Sequence, residues 1–148
     1  MKLKGSCMVW ALALIIMAAC NGASYAGEKV ATRFGVVSIS DANVLLVNGK
    51  PTSPVVEGNN SLSIVKQFSL SDADVVLVQD NGGMACPAEY YFVSLSQGGA
   101  KVSKSFGTCS DRISTSQAGN AITVKMPGFG TNKKAGIFVF QDGVLSQK

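Results

Sequence analysis

Histidine is absent from all 148 residues. With no imidazole there is no histidine general base, no histidine metal ligand and no histidine charge switch near neutral pH. Charge is also scarce. Charged residues make up 15% of the chain, against about 25% in ordinary globular domains. Aromatic residues reach 7%, and the single tryptophan, Trp10, falls in the first apolar run. That run spans residues 9–19, eleven in all, well short of the roughly 20 a spanning helix needs. Against these shortages stands a hydrophobic content of 47%, which excludes wholesale disorder. The length suits one domain rather than two.

The N-terminus reads as an export signal. Lys2 and Lys4 precede the apolar run, and Ser24-Tyr25-Ala26 places small residues at the −3 and −1 positions of a cleavage site. Residues 1–26 are therefore taken as a signal peptide and 27–148 as the mature domain. A second reading stays open. Met17-Ala18-Ala19-Cys20 resembles a bacterial lipobox, in which Cys20 would carry lipid and become the new N-terminus. Both readings place the protein outside the cytoplasm: periplasmic or secreted in the first, lipid-anchored in the envelope in the second. Only lipidation at Cys20 would bring a membrane into play.

Without the signal, eleven basic residues face nine acidic ones. A balance near +2 is too small to suggest nucleic acid or an anionic membrane as partner. Of the four cysteines, Cys86 and Cys109 lie beyond the signal. Two cysteines in an oxidising compartment predict one disulfide.

No stretch of the mature chain keeps a helical apolar period. Short β-branched and aromatic runs recur instead, at residues 30–39, 44–47, 61–68, 75–79, 89–96, 101–106, 112–116, 121–126 and 137–141. Gly, Asn, Asp, Ser and Pro separate them. Ile122, Val124 and Met126 alternate with Thr123 and Lys125, one face in and one face out. Val75-Val76-Leu77-Val78 is unbroken, as expected of a central strand covered on both faces. Asn48-Gly49 suits a hairpin turn with positive φ. Further turns are expected at residues 97–99, 118–120 and 141–143, and Pro51 and Pro54 make residues 50–54 poor for a central ladder. The expectation is an all-β fold: a single antiparallel sandwich or barrel-like domain with one disulfide. If Gln97 and Gly98 form the turn, Cys86 and Cys109 fall opposite each other across the hairpin, unless a bulge at Phe106-Gly107 shifts the pairing.

The segments Gly82-Gly83-Met84-Ala85-Cys86-Pro87-Ala88 and Phe106-Gly107-Thr108-Cys109-Ser110-Asp111 carry a resemblance. With Asp74-Val75-Val76-Leu77-Val78, Tyr91-Phe92-Val93 and Met126-Pro127-Gly128-Phe129 they form a pattern over residues 60–130. It is similar to small exported proteins of proteobacteria with no assigned function. The resemblance implies an envelope location and a β domain with paired cysteines. It carries over no catalytic residue and no ligand.

Sites of chemistry are weakly marked. Ser63-Ile64-Val65-Lys66 matches S-x-x-K, but that chemistry needs a helix start and companion motifs, and in a strand positions three apart face opposite ways. Gly128-Phe129-Gly130 opens no helix, so a phosphate cradle is not expected. Asp72, Asp74 and Asp80, with Asn81, supply oxygens but no EF-hand spacing, and turn formation accounts for the first two. Glu57 and Glu89 pair with no aspartate at a telling distance. No cofactor, no metal and no enzyme activity are expected.

Binding is the better expectation. A disulfide Cys86–Cys109 would fix two adjoining loops as one presented edge, bringing Asp80, Asn81 and Met84 together with Ser110 and Asp111. Tyr90-Tyr91-Phe92 would add aromatic contact surface, since consecutive strand residues face both ways. The partner expected is a protein or glycan of the cell envelope, with an inhibitor-like role as one example. The alternatives are a structural or accessory lipoprotein of an envelope assembly and, third, a small hydrolase. The N-terminal reading predicts that exported material begins at Gly27. Intact mass spectrometry checks this, and a diacylglyceryl group on Cys20 would replace it with the lipoprotein.

Overall fold

The computed structural model describes residues 28–131 and 134–148. The described residues are all-β and antiparallel, forming thirteen strands in three sheets. The first sheet is β1 (Lys29–Thr32), β2 (Gly35–Ile39), β3 (Leu45–Val47) and β4 (Lys50–Pro51). The second holds β5 (Ser61–Ser69), β6 (Ala73–Asn81), β7 (Ala88–Ser96) and β8 (Gly99–Val102), with β9 (Phe106–Cys109) also paired to β7. The third is β10 (Ser114–Ala118), β11 (Ala121–Met126), β12 (Gly136–Gln141) and β13 (Val144–Gln147).

The second sheet lies between the other two. Val75, Val76, Leu77 and Val78 on β6 are all fully buried, but not in one core. Val75 and Leu77 join Tyr90, Phe92, Phe106, Ile122, Val124, Phe138 and Phe140, the core shared with the third sheet. Val76 and Val78 join Val37, Ile39, Leu45, Val93 and Leu95, the core shared with the first. A strand whose alternate side chains enter two apolar cores has no face left for polar residues, which explains the unbroken run. The expected sandwich is therefore built as three layers.

Turn chemistry behaves as the sequence suggests. Asn48 (φ 52°) and Gly49 (φ 75°) close β3–β4, and Asp142 (φ 51°) and Gly143 (φ 78°) close β12–β13, all with positive φ. Two runs depart from expectation. Residues 30–39 are not one strand but a hairpin, turning at Arg33-Phe34. The Arg33 backbone N–H and Nε donate to Asp74 at 2.6 and 3.0 Å, and its Nη2 pairs with the same carboxylate at 2.8 Å. Nη2 also donates to the carbonyls of Leu70 and Ala73. One arginine thus fastens the first hairpin to the β5–β6 turn. Residues 101–106 also break. The Ser103 N–H donates to the Phe92 carbonyl and its Oγ accepts from the Phe92 N–H, after which the chain rejoins β7 as β9.

Ser96 pairs with Gly99, so Gln97 and Gly98 are the turn. The pairing then slips, with Tyr90 opposite Phe106 and Ala88 opposite Cys109. Cys86 and Cys109 are disulfide-bonded with Cα atoms 4.6 Å apart, but diagonally rather than directly opposed.

Asp74 is 1% exposed. Burial works against its charge, but the hydrogen bonds from Arg33, then from Ser69, and the Arg33 charge hold its carboxyl below the usual value. A lowered pKa stabilises the fold above the unfolded pKa and is lost as pH falls through the folded one. Asp74→Asn is expected to lower stability at neutral pH by about 2 kcal/mol. Urea titrations should show that difference shrinking below about pH 4, the ordinary carboxylate range. A difference independent of pH would contradict the assignment.

Candidate functional site

The disulfide gathers one end of the molecule into a site. On its β7 side, residues 82–87 form a short projecting loop. The Gly82 N–H donates to the Pro87 carbonyl at 2.9 Å, closing the neck. The Cys86 N–H donates to the Gly83 carbonyl at 3.2 Å, turning the tip over Met84 and Ala85. Asn60 Nδ2 braces the Gly82 carbonyl from outside at 2.8 Å. A Cβ on Gly82 would collide with the Cys86 carbonyl, so the close return of the loop requires glycine there. Met84 at the tip is 97% exposed, the most exposed of the large apolar side chains described.

Two carboxylates stand at the base of this loop. Asp80 and Glu89 are cross-strand partners at its base. With Asn59, Gly82 and Cys86 they line a hollow of about 280 Å³. Asp80 Oδ1 accepts from the Asn59 N–H at 2.8 Å. Asp111 follows from the other half of the disulfide and is exposed.

The chain leaving Cys109 runs into a groove of about 770 Å³. Its floor and walls include Val65, Ile113, Met126, Pro127 and Ile137, and its polar lining includes Asp111, Arg112 and Lys125. Its physical origin is a bulge in β5. The register with β6 shifts between Ile64 and Lys66, leaving Val65 unpaired and 39% exposed. Beyond the bulge β5 and the third sheet are stitched together. Lys66 Nζ donates to Thr115 Oγ1 at 3.0 Å and Gln117 Nε2 to the Ser69 carbonyl at 2.9 Å. Before the bulge the two sheet edges part, and the groove lies there. Its far wall is braced from β9, where Thr108 Oγ1 donates to the Pro127 carbonyl at 2.5 Å.

The expected contact residues separate under this geometry. Asp80 lines the hollow beside the disulfide and Met84 stands at the loop tip, but Asp111 lies apart from them, in the lining of the groove. Asn81 follows Asp80, but its Nδ2 is committed to Ser61 and Ser63 and its Oδ1 to Gln79, so it holds strands together. Ser110 is 3% exposed. Its Oγ accepts from the Arg112 N–H and its carbonyl from the Tyr90 hydroxyl. Tyr90 and Phe92 are fully buried and Tyr91 is half-buried against the other core. Ser110, Tyr90 and Phe92 are thus corrected from contact residues to core residues, because the sheet bearing the aromatics is covered on both faces. Cys20 lies outside the described residues.

The weaker motifs resolve as well. The bulge turns Ser63 and Lys66 to the same face, contrary to the simple strand rule, but Ser63 Oγ accepts from Asn81 and Lys66 Nζ serves Thr115. Asp74 and Asp80 stand at opposite ends of β6, about 20 Å apart at strand rise. Among the described residues no group of three or more Cys, Asp or Glu side chains could hold a metal ion. The groove was not foreseen, since nothing in the sequence around Val65 marks a bulge.

No protein-family model, curated protein or solved structure matches this chain.

Burial pushes the Tyr90 phenol up to about 12, and the charge of Asp111 adds to it. The neutral phenol is the form the fold accepts, so its contribution is intact below the ordinary tyrosine value of about 10 and fails as pH climbs through 12. Spectrophotometric titration should therefore show a late phenolate step near pH 12 that disappears in Tyr90→Phe. Loss of the step nearer pH 10 in that variant would place Tyr90 in water.

Proposed function

We propose that this chain is an exported protein-binding module of the cell envelope, working by contact rather than catalysis, with the disulfide-held edge as its recognition surface. The carrying observation is Met84. Its side chain stands 97% in water at the tip of a braced loop, where nothing in the chain itself hinders its entry into a partner's pocket. The loop is held by two internal backbone bonds, an outside amide and the disulfide. Such preorganisation lowers the entropy lost on binding. A flexible thioether entering a concave pocket is a familiar anchor, since methionine adapts to irregular surfaces.

The acidic surroundings give the partner a character. Asp80 and Glu89 would meet a basic group beside an apolar pocket. A protein suits this better than a glycan. The tip is a single apolar projection, and no Phe, Tyr or Trp lines the neighbouring groove for a sugar ring to stack upon. The disulfide agrees with an oxidising compartment. Together with the signal-like N-terminus it supports export, and anchoring through Cys20 would set only where the module acts.

The test uses the purified exported protein as bait in envelope extract, alongside Met84→Asp and Asp80→Asn/Glu89→Gln variants. A protein retained by the wild type is expected to be lost with Met84→Asp, at a cost above about 2 kcal/mol if the side chain is a central anchor. It should be held more weakly, with less salt dependence, by the charge variant. Equal retention by all three proteins would refute this reading.

A further inference from the structure

The groove is a second concave feature, and it does not depend on the Met84 edge. We infer that it binds an extended acidic peptide segment, with aliphatic side chains on its floor and carboxylates at Arg112 and Lys125. Three observations carry this.

The first is where the groove lies. It opens between the edges of two sheets, at Val65 on β5 and Ser114 on β10. Each is an outer strand of its sheet, β5 pairing with β6 and β10 with β11. The sheets are stitched from Lys66 onward and part at Val65. A trough bounded by strand edges fits an extended chain, whose backbone can meet edge groups while alternate side chains point in and out.

The second is the lining. Val65 and Ile137 are 39% and 36% exposed, and Ile113 and Pro127 continue the apolar surface between them, with Met126 buried behind. This surface suits valine- or leucine-sized side chains. It offers no aromatic platform.

The third is charge. Among the described residues no ion pair engages Arg112 or Lys125, and Arg112 uses only its backbone groups in the hydrogen bonds to Ser110. Two cations therefore stand at the groove against one carboxylate, Asp111. Carboxylates of a bound segment complement that imbalance. A lysine-bearing segment would meet two like charges there.

Fluorescence anisotropy tests this with the purified exported protein and a fluorescein-labelled peptide alternating glutamate with valine and leucine. Its partner probe replaces every glutamate by lysine. The acidic peptide should bind, and the lysine peptide about tenfold or more weaker, as expected from two exposed charge contacts. Arg112→Glu with Lys125→Glu should reverse that preference. Val65→Asp should weaken the acidic peptide through the floor. Met84→Asp should leave it unchanged, so failure here and failure of the edge proposal are told apart. The inference is overturned by equal binding of both peptides, by no binding at millimolar protein, or by an unchanged preference in the charge-reversed variant. Displacement by a chitin oligosaccharide but not by unlabelled acidic peptide would assign the groove to glycan and overturn it equally.

Discussion

Strand β6 is the constraint on which the rest of the structure depends. Four consecutive aliphatic residues, Val75 to Val78, send alternate side chains into two different cores. A sheet with both faces apolar cannot stand against water on either side, so it demands a layer above and a layer below. The hairpins of residues 29–51 and 114–147 supply them. Neither outer sheet has a buried face without the central one. Stability therefore rests on contacts at two interfaces of one sheet, with the stacked and tilted rings of Phe92, Phe106, Phe138 and Phe140 filling one.

Polar devices then fix how the layers sit. The Arg33–Asp74 clasp ties the first hairpin to the β5–β6 turn. The side chains of Lys66, Gln117 and Asn120 tie the third sheet to β5 and to the same turn. These ties also occupy an edge that would otherwise invite a strand from another molecule. Asn43 Oδ1 takes the Leu62 N–H at 2.6 Å, Gln117 takes the Ser69 carbonyl, and a bulge and a lysine lie between them. Bulges, lysines and covered backbone are common means of blunting edge strands.

The sequence made the β class, most turns and the disulfide legible, because those follow from residue type and short spacing. The unbroken run at Val75–Val78 even announced a strand covered twice. Other features were illegible for physical reasons. Arg33-Phe34 is not turn-like chemistry, and that hairpin exists because a carboxylate 41 residues away holds it. The bulge at Val65 arises from competition between registers along a strand, which local composition does not encode. The burial of Tyr90 and Phe92 is illegible in the sequence for one reason. A strand pattern tells which residues share a face but not whether that face is covered, and here both are. For the same reason Ser110, polar and beside a cysteine, looked like surface and is core.

The three sheets follow one another along the chain in the order in which they stack. As the polypeptide lengthens from its N-terminus, the central sheet is complete before the first residue of its second cover has appeared. For that interval Tyr90, Phe92 and Phe106 form a bare aromatic wall. Cys109 has already emerged by then, so the bond to Cys86 can close on a half-covered intermediate and hold its last strand in place. A chain that folds as it lengthens would therefore carry that wall in the open until β10 to β13 shut it away.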